Sequence, residues 1–110
     1  MSDTPDISWY GIRTVYHFGK KKDGKNLFEE RICVFSGASE AEVFEKSQRE
    51  AQQYSEFHKM AWHPVQEAYL QDGDVLIDGY EVWSEVFEFD GGLDSFVTSR
   101  YQRYVYHPDE

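Results

Sequence analysis

SWYGIRTVYHF, residues 8–18, then GKKKDGKN, residues 19–26, then LFEERICVF, residues 27–35, is the stretch from which the architecture follows. In the first run Tyr10, Ile12, Tyr16 and Phe18 fall on one side of an extended chain, and Trp9, Arg13, Val15 and His17 on the other. That alternation is the mark of a β-strand. The middle run carries two glycines, an Asp-Gly pair and four lysines, and it breaks the alternation before the third run resumes it. Two alternating runs about such a turn predict an antiparallel hairpin with the lysines at its tip.

Ser39-Glu40-Ala41-Glu42 has the form of a capping box, a hydroxyl for the orphan amides of a helix start and a carboxylate three residues later that reaches back. The spacing predicts a helix over 40–58, with Ala41, Phe44, Gln48, Ala51, Tyr54 and Ser55 on the packed stripe and Glu42, Glu45, Lys46, Arg49 and Glu50 around the other side. Pro64 bars its continuation. Residues 65–71 and 80–89 read as two further strands joined by the turn-rich 72–79, with 75–77 pairing briefly. Gly91-Gly92 ends the sheet, and Leu93, Phe96, Val97, Tyr101 and Tyr104 recur at helical spacing. The expectation is an α+β two-layer sandwich in ββαββα order, with a mostly antiparallel four-stranded sheet and both helices on one face.

Trp9-Tyr10-x-x-Arg13 in the first strand, Glu29-Glu30-Arg31-Ile32 in the second, Ser39-x-x-x-Val43 at the helix start and Asp78-Gly79-x-Glu81-Val82-Trp83-Ser84 in the last strand follow in this order along the chain. Over residues 9–104 the pattern resembles a small bacterial family known only as domain of unknown function 4288. The resemblance implies no established activity, cofactor or partner. Trp83 stands where family members carry a smaller aromatic or aliphatic residue, and the GKKKDGKN loop is long for the family. Both differences fall where binding can be tuned.

A chain of 110 residues fits one domain burying roughly two-thirds of its unfolded surface. Residues 1–7 read as a polar N-terminal tail and 105–110 as a C-terminal tail. The content of 40% hydrophobic and 17% aromatic residues is too high for a disordered chain despite a net charge of −10. Residues 60–99 hold no Lys or Arg but nine acids, Glu67, Asp72, Asp74, Asp78, Glu81, Glu85, Glu88, Asp90 and Asp94. Such a segment repels phosphates and anionic lipids and attracts cations and basic protein surfaces. Neither nucleic acid nor a membrane is therefore expected as a partner, and the four lysines of the hairpin tip read as a solvated turn. Cys33 is the single cysteine, so no internal disulfide forms and a reducing, cytoplasmic compartment is expected. No secretory signal and no run of transmembrane length is expected.

Arg13, Glu29, Glu30, Arg31, Glu81 and Ser84 are the polar members of the strand motifs. Cross-strand ion pairing, worth a few tenths of a kcal/mol to about 1 kcal/mol, is their plainer reading. A pocket of Arg13, Glu30, Glu81 and Ser84 that binds a ligand or runs acid/base chemistry is the alternative. Glu30 shares parity with Phe28, Ile32 and Val34, so on a core face it needs an arginine or several donors. Parity also separates Trp9, Val15, Trp83 and Phe87 from Tyr10, Ile12, Val82 and Val86. If helices cover the second set, the first lies on an open face rimmed by Glu81, Glu85 and Glu88. The binding candidates are then Trp9, Arg13, Trp83, Phe87, Glu81, Glu85 and Glu88, since Trp and Arg are common interface anchors. Residues 101–107 folding over this face is the competing arrangement.

The resulting expectation is a small acidic cytoplasmic protein-binding module, an inhibitor or immunity-type protein for a basic partner. An enzyme or ligand-binding domain with the polar pocket, and a homodimer without a heterologous ligand, are the alternatives. No nucleophile motif, P-loop or dinucleotide fingerprint is present. His58 and His63 stand five residues apart, neither on one helical turn nor beside paired cysteines, and His17 and His107 are remote in sequence. The purified protein is accordingly expected to contain no stoichiometric metal and to need no cofactor. Elemental analysis finding one zinc per chain would overturn this.

Overall fold

The computed structural model describes residues 7–71, 78, 79 and 81–100. The hairpin forms as its alternation requires. Strand β1 (Ser8–Lys20) pairs antiparallel with β2 (Asn26–Gly37), Arg13 opposite Ile32 and Val15 opposite Glu30. The register slips once, between His17 and Gly19, and the lysine-bearing turn closes with Lys21 N–H donating to Lys25 O at 2.9 Å. Helix α1 (Glu40–His58) starts on the expected cap: Ser39 Oγ accepts from Glu42 N–H at 3.2 Å, and Glu42 Oε2 accepts from Ala38 N–H at 3.0 Å. It ends at Lys59, in the left-handed region with φ 55°. The chain then returns along β1, with His17 N–H on Ala61 O and His63 N–H on Val15 O, both 2.9 Å, before β3 (Glu67–Gln71) pairs antiparallel with residues 9–13. Among the described residues the sheet has three strands in the order β2-β1-β3.

Helix α1 covers the even-numbered face of β1. Ile12 and Tyr16 are buried there against Val43, Ser47 and Ala51. The packed stripe runs 43-47-51-54, so Ala41 and Gln48, expected on it, face solvent instead. Small residues allow the helix to lie close to the sheet. Between them Gln66 Nε2 donates to Thr14 Oγ1 at 2.8 Å, and Ser47 Oγ lies 2.9 Å from Gln66 Oε1, which satisfies the Thr14 and Ser47 hydroxyls.

Three expectations are corrected. The fourth strand expected over 80–89 is not seen at 81–89, which have no regular structure. The two helices do not share a face: α2 (Leu93–Arg100) ends with Arg100 ion-paired to Glu30, which points away from α1. Val82 and Val86, expected under the helices, are instead 57% and 96% exposed. All three have one cause, the path of residues 81–92 across the sheet, described below. The brief pairing at 75–77, Tyr80, and the Tyr101 and Tyr104 end of the final helix lie outside the described residues, as do the N-terminal tail up to residue 6 and residues 101–110.

Gly37 ends β2 where the chain turns into the helix. A Cβ there would lie 2.9 Å from Val43 Cγ2 and 3.3 Å from Glu42 Cδ. Gly37→Ala is expected to lower stability by about 1–3 kcal/mol, the usual effect of overpacking. A urea titration measures it beside Gly92→Ala, whose Cβ meets nothing within 4 Å and which is expected to stay within about 0.5 kcal/mol of the parent.

Candidate functional site: a strapped sheet face

On the face away from α1, residues 81–92 form an arm that crosses from β3 toward β2. It leaves β3 where Gln71 Nε2 donates to Val82 O at 2.8 Å and Tyr69 Oη to Glu81 at 2.7 Å. Trp83 then lies over Gly11. A Cβ at Gly11 would already touch the indole at 3.4 Å and Ile32 at 3.5 Å, so a side chain larger than a methyl would lift the ring away. Glycine inside a strand marks such a close approach.

Arg13 fastens the arm. Its guanidinium reaches Glu67 on β3 at 2.6 Å and both oxygens of Glu85 at 2.6 and 2.7 Å, and it stands 5.3 Å from the centre of the Trp83 ring. Hydrogen bonding to Glu85 raises the Arg13 pKa against the opposing effect of burial, and the same bond holds the Glu85 carboxyl below its ordinary value. The Trp83 indole N–H is buried without a partner in hydrogen-bonding geometry, yet close enough to Glu85 to help keep it ionised. Phe87 and Phe89 hold Phe96 of α2 at 5.8 and 5.6 Å, and Arg100 stacks over Phe87 at 5.2 Å while pairing with Glu30 at 3.1 Å.

These groups surround an open depression of about 240 Å³. Of the residues singled out from the sequence, Arg13, Glu30, Trp83, Ser84, Glu85 and Phe87 line it. Trp9, Glu81 and Glu88 do not: Trp9 lies opposite Gln71 and Ser36 at the end of the sheet, Glu81 is taken by Tyr69, and Glu88 faces solvent. Ile32 and Arg100 also line the depression. The signal for Arg100 is its position as the first Lys or Arg after forty residues without either. Glu30 escapes burial and finds its arginine from α2 rather than across the hairpin.

A second polar group lies under α1. Arg31 pairs with Glu50 and stacks over Tyr54 at 3.8 Å, while Tyr54 Oη donates to Glu29 at 2.7 Å. Burial and Glu29 push the Tyr54 phenol up to about 12, and burial also raises the Tyr16 phenol and the Cys33 thiol. A thiol raised in this way is a weak nucleophile. His58 stacks on Tyr54 at 4.5 Å, His63 Nδ1 accepts from Val65 N–H, and His17 bonds Asn26. Among the described residues no three metal-ligating side chains gather, and no helix is long and apolar enough to cross a membrane.

No protein-family model, curated protein or solved structure matches this chain.

Because the folded pKa of Glu85 is depressed, the stability it brings is present above the ordinary carboxylate range and disappears as pH falls through the lower folded value. The parent is therefore expected to be more stable than Glu85→Gln at neutral pH, with the gap closing on acidification. Parallel urea titrations from pH 7 to pH 3 check the sign, and a gap that widens at low pH would contradict the assignment.

Proposed function

We propose that this chain is a small protein-binding module, an acidic inhibitor or immunity-type protein in a reducing, cytoplasm-like compartment. In this reading its sheet face opposite α1 receives a basic protein partner. One observation carries it: on that face Trp9, Phe28, Ile32 and Val34 are 52%, 66%, 46% and 60% exposed beside an arm edged with carboxylates. An apolar row with an acidic rim supports a protein contact, the row supplying binding energy and the rim speeding encounter. The ligand-pocket alternative has less support, because Arg13, Arg100, Glu30 and Glu85, the charged lining of the depression, already satisfy one another. Groups so paired are poorly placed to bind a charged ligand or transfer a proton.

The test is affinity capture from the native host followed by calorimetry on the captured protein. A basic partner is expected, bound more weakly as salt rises. Trp9→Ala is expected to remove roughly 2 kcal/mol or more of binding with the melting temperature unchanged. A partner that binds Trp9→Ala as tightly as the parent would remove the face from the interface.

A further inference from the structure

Strand β2 is an outer strand, and among the described residues no further strand pairs with its free edge. Its twelve residues span about 40 Å, and near the C-terminal end Ser36 O is covered by Lys46 Nζ at 2.6 Å. Natural edges are blunted by proline, bulges or unpaired charge. β2 has no proline, and the one register slip lies on β1. Its three adjacent charges are each satisfied within the chain, Glu29 by Tyr54, Glu30 by Arg100 and Arg31 by Glu50. Phe28, Ile32 and Val34 stay exposed along one side.

We propose that this edge is the interface between two copies of the chain, joined antiparallel about a two-fold axis at Ile32. A two-fold pairing repeats one surface against itself, so that surface must complement itself. Residues directly opposite in an antiparallel pair share a face, so the axis passes through a residue position. At Arg31 it would set two guanidinium side chains opposite each other. At Ile32 it sets Ile32 against Ile32, Glu30 beside Val34 and Arg31 beside Cys33, with no like charges opposed.

The choice of a second copy rests on charge. A net charge of −10 works against self-association in general, but the two ends of β2 carry opposite signs. The tip with Lys20, Lys21, Lys22 and Lys25 precedes the strand, and the first turn of α1 with Glu40 and Glu42 follows it. Counting outward from Ile32, Lys25 and Ser39 are equidistant just beyond the strand ends, with Glu40 next along the chain, while Glu42 is held by its own Lys46 at 3.7 Å. The pairing thus lays each lysine tip beside the acidic helix start of the partner, twice per dimer.

Analytical ultracentrifugation with amide exchange on the full chain tests this. A dimer at tens of micromolar is expected, with slowed exchange along β2. Lys25→Glu is expected to raise the dissociation constant at least tenfold, and adding Glu40→Lys to restore it, a rescue that a merely structural effect would not give. Ile32→Lys, a half-exposed site, is expected to yield a folded monomer. A parent that is monomeric at 100 micromolar overturns the proposal, whether its β2 amides exchange freely or are shielded by the chain's own residues 101–110. So does a dimer that survives Ile32→Lys. Monomeric Lys25→Glu that still binds the basic partner would leave the binding face intact, so the two proposals fail separately.

Discussion

Arg13 is the side chain on which the far face of the sheet depends. It stands on the central strand, pairs with Glu67 of the neighbouring strand, grips both oxygens of Glu85 and lies against the Trp83 ring. Residues 60–99 contain no Lys or Arg, so their carboxylates are compensated chiefly by arginines from elsewhere in the chain. Arg13 meets the segment in its middle and Arg100 closes it on Glu30. The arm takes the path that brings its acids to these arginines and its indole to the gap over Gly11. Continuing as a fourth strand would have drawn Glu85 and Trp83 away from both.

The side under α1 is built differently. Its buried residues are few and of modest size, Ile12, Tyr16, Val43 and Ala51, with Thr14 and Ser47 satisfied by Gln66. Arg31 between Glu50 and Tyr54 closes the margin of that layer, its stem packing while its head stays bonded. Polar groups satisfied in this way fix the seat of the helix more than they add to stability, since the net gain from each neutral hydrogen bond is only about 1 kcal/mol. A thin layer of this kind leaves much apolar surface uncovered on the opposite face, where Trp9, Phe28 and Val34 remain in contact with solvent.

Much of this was legible in the chain. The hairpin followed from strict alternation around an Asp-Gly turn, and the helix from its capping box; local rules govern both, and both formed within a residue or two of the expected bounds. The last third was harder because its pattern is ambiguous. Trp83, Glu85 and Phe87 do share one side of an extended chain, as their parity says, but parity cannot tell pairing along an edge from crossing a face. The tertiary term that decides it, an arginine sixty and more residues upstream together with an empty site at Gly11, has no local trace beyond a glycine inside a strand. Glu30 and Arg100 illustrate the same limit, as their pairing depends on where α2 arrives.

The division between the two faces bears on what such a protein can do. Catalysis calls for a group held away from its ordinary protonation state and left without a saturating partner. The charged groups around the depression are instead matched carboxylate to guanidinium, and the perturbed phenols and thiol lie beneath α1 with burial raising their pKa values. Beside them the apolar row on β2 and β1 stays exposed, and among the described residues no further strand pairs with the edge of β2. Apolar surface and unpaired strand amides are satisfied by another polypeptide far better than by a small charged molecule. The chain therefore spends its polar chemistry on holding an arm and a helix in place, and the exposed apolar row beside an outer strand is what supports the proposed protein contact.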